Sequence, residues 1–477
     1  MVSSNIERYR DSIVSGPILS TMLRLGLPLM FTDIIMLMYN IADTYWLSRY
    51  SQYALAVPRQ NWPIFLVFIS ILIGVTNANL AILSQYVGAK MFNKVSEISS
   101  KLFTLCIVIS TALFLLYESL KFHIFSYIIR TPDEILRDVL DYAEVIALDI
   151  IAFGIGMSLS TMMQSFGDTR TPAITMGIGA LINAVLDPIF IVGLGPIPAM
   201  GARGAAIATI ITRLFASTII FNIMRVRYPE VKIRFTRKLD REWLLLSLKI
   251  GIPVTIMTIS DGFAFTFQQA LVNMFGVVIA TAFAIGFMVL DMANAILRGF
   301  TMSISIMVGQ NLGAGNPSRA RKIALTAAHT IMLFVFTGSI LVYLARGYLI
   351  AVFTSDSTIA LEAEKLVTTI AWILPMMMLS FLGMSVGRGS GRTVVPTVVN
   401  VVRFWIIRIG LGWSLAVAVG LGVVGLWIAI ALSEIVGGTI SYTWIRRGRW
   451  TKPVIKQQPQ LIKTRETIEI RKKIAID

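Results

Sequence analysis

The sequence predicts an all-α polytopic membrane protein, with twelve transmembrane helices in two pseudo-twofold-related six-helix lobes around a central cavity. Three observations carry that prediction. The 477 residues are 56% hydrophobic and only 14% charged, with a mean hydropathy of +0.76, whereas soluble domains carry about 25% charge. Apolar stretches long enough to cross hydrocarbon recur from end to end. The two halves of the chain also echo one another at a nearly constant offset.

Taken in order, the elements are these. Residues 1–16 lack a short apolar core with a cleavage site, so they read as a polar lead-in, not a removable signal. Spans follow at 17–48, 54–84, 95–117, 137–166, 170–193 and 203–224. The basic stretch RVRYPEVKIRFTRKLDR (225–241) is a linker. A second set lies at 242–275, 278–309, 319–346, 358–387, 393–418 and 422–445. The lobes are therefore 17–224 and 242–447, and a basic tail occupies 448–477. The net charge of +16 does not argue for nucleic acid, because the basic residues gather in the linker, the tail and the other segments of one membrane side. Basic loops stay in the cytoplasm, so both termini are expected there, in a plasma membrane. The tail is expected in solvent or against anionic headgroups.

Enzyme chemistry finds little support. The single cysteine, Cys106, excludes an internal disulfide and a thiolate metal cluster. His123 and His329 are too far apart for an HExxH site. GMSVG (383–387) matches a nucleophile elbow in letters only, since it sits in an apolar span without a histidine partner. No Walker A motif is present, and no cofactor is called for.

The repeat is visible in short motifs. Leu25-Gly26-Leu27-Pro28 answers Ile250-Gly251-Ile252-Pro253. Gln85, Gly88 and Ala89 answer Gln310, Gly313 and Ala314. Gly167 and Pro172 answer Gly391 and Pro396, and Gly204 answers Gly425. Six helices per repeat is an even number, so both repeats enter the membrane in the same direction. Their twofold axis then runs along the membrane normal, with a site near the midplane between the lobes.

NIADTYWLSR (40–49), QYVGA (85–89), FGDTRTP (166–172), LINAVLDPIF (181–190) and VGQNLGAGN (308–316) occur in order on this frame. Together they resemble the multidrug and toxic compound extrusion (MATE) family over about residues 17 to 447. The resemblance implies a cation-driven antiporter working by alternating access, which expels amphipathic, often cationic compounds. The acids of the first lobe have no counterparts in the second: at the repeat offset Asp43 meets Gln268, and Asp187 meets about Leu411. That pattern resembles the DNA-damage-inducible branch, whose coupling site lies in the first lobe.

A carboxylate in the middle of a span costs about 3 kcal/mol on insertion scales and is a functional candidate by default. Tyr39 and Asp43 are four apart and share a helix face, as do Asn183 and Asp187. The resemblance implies that these faces meet, with Tyr142 and Thr209 nearby. Two carboxylates in a low-dielectric pocket favour one shared proton. Alternatively, Na⁺ would suit the oxygens of Asp43, Asn183, Asp187 and Thr209, and the residues do not choose between H⁺ and Na⁺. One charge crossing about 100 mV supplies roughly 2.3 kcal/mol, close to a 50-fold drug gradient.

Pro28 removes a helix hydrogen bond and gives either a static kink or a bend that responds to Asp43. Met36, Asn40, Met157 and Met176 are candidate cavity residues, thioethers being pliable contacts for varied ligands. Asp33, Asp261, Asp291, Arg298, Arg403, Arg408 and Glu434 are further intramembrane charges. They are expected to pair across helices, Arg408 with Glu434 by depth, though a second coupling acid among Asp261, Asp291 and Glu434 stays open. The expected partners are small organic cations or amphipathic drugs and membrane lipid, with no nucleic acid, and the chain is expected to act as a monomer. A lipid-linked oligosaccharide flippase of the same superfamily is the alternative. It would line its cavity with several basic residues, and the first lobe carries few, mainly Arg24 and Arg213.

Overall fold

The computed structural model describes residues 4–51 and 53–456, except for the side chains of 289–298. Asp291, Arg298 and the tail beyond residue 456 thus lie outside the described residues. A short helix, α1 (Asn5–Ser15), opens the chain. Its start carries the capping-box pattern Ser-x-x-Glu, with one half made: Ser4 Oγ accepts the Glu7 N–H at 3.2 Å, while the Glu7 carboxylate pairs with Lys90. The long helices of the first half are α2 (Ile18–Tyr50), α3 (Ala56–Gly88), α4 (Phe92–His123), α5 (Asp133–Phe166), α6 (Arg170–Asp187) and α7 (Gly201–Arg227). Those of the second half are α8 (Arg241–Asn273), α9 (Val277–Gly313), α10 (Pro317–Ala351), α11 (Ser357–Ser390), α12 (Val394–Val402, prolonged by π-helical turns to Ala418) and α13 (Val423–Arg447). Among the described residues, eleven of these stretches are long and apolar enough to cross a bilayer. The remaining one, α9, runs 37 residues through the segment whose side chains are not described. The chain is a multi-pass membrane protein.

Several helices outrun the expected spans. The third, expected at 95–117, runs from Phe92 through a π-helical turn that ends at Ile128. Hydropathy registers only the apolar middle, whereas the hydrogen-bond ladder continues into the interface. There, pairs three residues apart support it: Lys94–Glu97 at 2.8 Å and Lys121–Glu118 at 2.6 Å. The stops follow the repeat. α5 ends at Gly167 (φ 97°) and α11 at Gly391 (φ 72°), the left-handed conformation glycine supplies at a helix C-terminus.

Burial divides as the repeat does. Two apolar clusters draw mainly on α3, α4, α5 and α7, and a larger one draws on α9, α10, α11 and α13. Large apolar side chains such as Leu181, Leu333 and Leu344 face outward, as lipid-facing surfaces do.

The two halves meet in a symmetric seam at the end of the bundle that carries α1 and the 225–241 linker, here the linker end. Gln85 Nε2 donates to the Ser390 carbonyl at 3.3 Å, and its repeat mate Gln310 Nε2 donates to the Ser165 carbonyl at 2.8 Å. A Cβ on Gly88 would collide with the Gln310 carbonyl, and one on Gly313 with that of Gln85. Higher up, Gly74 and Gly251 let α3 and α8 touch; a Cβ on either would meet the other's carbonyl at 2.7 or 2.8 Å. Small residues allow such close backbone approach between membrane helices. α1 lies along this seam. It is held to the first half by Arg10 on the Gly88 carbonyl (2.9 Å) and Lys90–Glu7 (2.5 Å), and to the second by Asn311 on the Ile13 carbonyl (3.4 Å).

Candidate functional site

Asp187 is the last residue of α6. Pro188, which follows, has no N–H to continue the ladder, and residues Pro188–Gly193 form a π-helical stretch; such departures from α geometry are frequent at functional sites. Asn183 stands one turn before, and both side chains are fully buried. α2 packs along α6, and α7 packs on α5 and α6. These contacts bring together Tyr39, Asp43, Tyr142, Asn183, Asp187 and Thr209 from four helices.

The Tyr39 hydroxyl lies 2.5 Å from Thr209 Oγ1. Since Thr209 already donates to the Ala205 carbonyl at 3.0 Å, the Tyr39 O–H is the donor between them. The Asp43 side chain adjoins both Tyr39 and Asp187, and Asn183 adjoins Asp187. Tyr142, on α5, lies near Asp43 and packs against the apolar cluster around it. Among the described residues, Asp43 Oδ1, both carboxylate oxygens of Asp187 and both amide atoms of Asn183 are buried without a hydrogen-bond partner. Buried polar atoms are normally paired, and two adjoining carboxylates repel unless a proton or a cation lies between them. The donor set is oxygen throughout apart from the Asn183 amide, which suits a proton or a hard cation.

Of the other sequence candidates, Pro28 sits inside α2, which continues through it, and its carbonyl accepts from Thr32 Oγ1 at 3.0 Å. Met36, Met157 and Met176 are half-buried and Asn40 is exposed. In the second half, Gln268 at the position matching Asp43 is buried, with both amide atoms unpartnered among the described residues. The deeper charges form a network instead. Glu434 accepts from Arg403 at 2.5 Å and from Arg408, Arg403 donates to Asn400 Oδ1 at 2.9 Å, and Asn400 donates to Asp261 at 2.5 Å.

The sequence reading missed one pair. Asp149 on α5 is 1% exposed and lies 3.0 Å from Arg213 Nε on α7, and the Arg213 guanidinium sits 5.1 Å from the centre of the Phe153 ring. A lone acid inside an apolar stretch of α5 was the available signal.

A doubled bundle of membrane-spanning helices of this kind is the frame of a membrane transporter. The chain belongs to the MatE family: that family's model matches it twice, over residues 28–189 and 253–414, so the two matched halves are displaced by 225 residues. A probable multidrug resistance protein, NorM of Thermotoga maritima, is 28% identical over 444 residues, spanning 91% of this chain and 93% of that protein. A FAD transporter of Shewanella oneidensis is 27% identical over 330 residues, 68% of this chain and 72% of that one. Among solved structures, a MATE protein in the bent conformation superposes with a TM-score of 0.86 at 19% identity, covering 97% of this chain and 99% of that one. The outward-facing multidrug resistance MATE transporter of the MOP superfamily gives 0.84 at 20% identity, with coverage of 91% and 97%. At these identities the structural likeness establishes the fold.

Proposed function

We propose that this chain is a cation-coupled antiporter, driven by H⁺ or Na⁺, that exports amphipathic, often cationic organic compounds by alternating access. The observation that carries the reading is the meeting of Asp43 and Asp187 inside the first six-helix half, with buried oxygens that lack protein partners. Asp43 and Asp187 hold the coupling cation, Asn183 and Thr209 complete its surroundings, and Tyr39 and Tyr142 orient the acids. A proton or Na⁺ entering removes one unit of negative charge from the pair and relieves its repulsion; α2, weakened at Pro28, then repacks and the organic cargo leaves. The chain works as a monomer in the plasma membrane, with the linker end in the cytoplasm, where its basic segments favour it.

Among the described residues, the deep acids of the second half, Asp261 and Glu434, have polar or charged partners while Asp43 and Asp187 meet each other, a contrast that supports the DNA-damage-inducible branch. The flippase alternative loses ground because Arg403 and Arg408, the buried basic residues of the second half among those described, converge on Glu434 and are not free for a pyrophosphate. The test is export of a fluorescent cationic dye from proteoliposomes under an imposed H⁺ or Na⁺ gradient. Asp43→Asn and Asp187→Asn are expected to abolish export while remaining folded; export at the parent rate by either variant overturns the assignment.

A further inference from the structure

Beneath the paired acids lies a second charged couple for which the coupling reading has no use. Arg213 follows Thr209 by four residues on α7, one turn or about 6 Å along the helix, on the same face. Thr209 is the partner of Tyr39, and Tyr39 adjoins Asp43. A permanent positive charge therefore stands one turn from a site read as binding a small cation. Left to itself it would repel that cation or replace it, since an arginine fork pairs readily with carboxylates. What faces it is Asp149, 1% exposed, at 3.0 Å. The guanidinium is also held over Phe153 at 5.1 Å, and its stem runs past Gly156, where an added Cβ would lie 4.0 Å from Arg213 Cγ. The side chain is thereby held against α5. Among the described residues, the other titratable groups facing this region include Tyr39 and Asp43 of α2, Tyr117 of α4, Tyr142 of α5 and Asp187 of α6.

We propose that Asp149 and Arg213 are a positioning pair: Asp149 cancels the Arg213 charge and tethers it, so that Asp43 and Asp187 remain available to an exchangeable cation. This inference rests on the coupling reading above. It assigns the pair an electrostatic task beyond holding α5 to α7. A unit charge about 10 Å away, at an effective dielectric near 20, changes cation affinity on the order of tenfold.

The experiment measures dye export by the full-length chain in proteoliposomes against graded concentrations of Na⁺ and, separately, of H⁺. For whichever ion drives export, the half-saturating concentration is compared among three proteins. Asp149→Asn, which frees Arg213, is expected to raise it about tenfold while leaving the maximal rate within about twofold. The charge-free double variant Asp149→Asn with Arg213→Gln is expected to return it to within about twofold of the parent, even if its folded yield is low. A half-saturating concentration unchanged in Asp149→Asn, or equally raised in the double variant, overturns the proposal and leaves the pair a structural tie. Asp43→Asn runs alongside: if it too exports normally, the coupling reading itself has failed, whereas its loss of export with a normal Asp149→Asn sinks only this inference.

Discussion

Replacing Glu434 by Gln removes the one acid on which two buried guanidiniums converge. The side chains of Arg403 and Arg408 are each 5% exposed and that of Glu434 is 2% exposed. Arg403 keeps its bonds to Asn400 Oδ1 at 3.0 and 2.9 Å, and Arg408 keeps Ser433 Oγ at 3.1 Å. Neither residue finds another carboxylate at ion-pair distance among the described residues. Removing one partner of a buried ionic group costs about 3–5 kcal/mol, because uncompensated charge stays in a low dielectric. Replacing the whole group by apolar residues of similar size removes both the attraction and the desolvation penalty, and is often close to neutral. Glu434→Gln should therefore lose about 3–5 kcal/mol in equilibrium unfolding by SDS from detergent micelles. The quadruple variant Glu434→Leu, Arg403→Met, Arg408→Met, Asp261→Leu, which also clears the acid reached through Asn400, should lose less than the single one. A single-variant loss under about 1 kcal/mol, or a quadruple variant worse than the single, would refute the reasoning.

Three further outcomes are expected. Gly313→Val should wedge α3 from α9 at the Gln85 carbonyl and cut dye export at least tenfold, on the order of one RT ln 10 of 1.4 kcal/mol; Gly338→Val, where an added Cβ meets nothing within 4 Å, should leave export unchanged. Lys101 holds the Asp240 carboxyl below its ordinary range, so Asp240 stabilises the fold at neutral pH and the benefit is lost as the pH falls through its lowered folded value. With Asp240 half exposed, Asp240→Asn, which retains a cap for Trp243, should cost under about 1 kcal/mol at pH 7, and the difference from the parent should fade below about pH 4 in parallel unfolding titrations. Gln268→Ala should reduce export far less than Asp187→Asn does; equal losses in the same dye assay would mean that the two halves share the site.

Much of this architecture is legible in the chain because each signal is local. The repeat of glycines and prolines marked the halves; the stop at Gly167 falls where the span was expected to end, at 166, whereas α11 runs past the expected 387 to its stop at Gly391. Asp43 and Asp187 stood out because charge in an apolar span is costly. The capping-box pattern at Ser4 and Glu7 was equally local, yet α1 was read as a polar lead-in, because its length and polarity suggested no membrane helix. Other features depend on contacts between distant segments. Gln85 and Gln310 were seen as repeat mates, but nothing local indicates that each bonds across the seam to Ser390 or Ser165. Depth alone suggested Arg408 for Glu434 and left Arg403 without an assignment. Five residues apart on an α-helix, the two would point about 140° apart. The chain is π-helical from Arg403 to Leu411, with i→i+5 bonding, and this brings both onto one acid. Asp149 offered the same local signal as Asp43, but its pairing with Arg213, two helices on, was not legible in the chain.

The claim that Asp43 and Asp187 trade a small cation for an organic cargo is tested most directly by counting ions released on dye binding. The purified protein in detergent is titrated with a cationic dye, once in weak buffer with a pH indicator and once after loading with radioactive Na⁺. The account predicts release of at least one H⁺ or Na⁺ per dye bound by the parent, and none from the Asp43→Asn, Asp187→Asn double variant. No release by the parent, or the same release from the double variant, would contradict it.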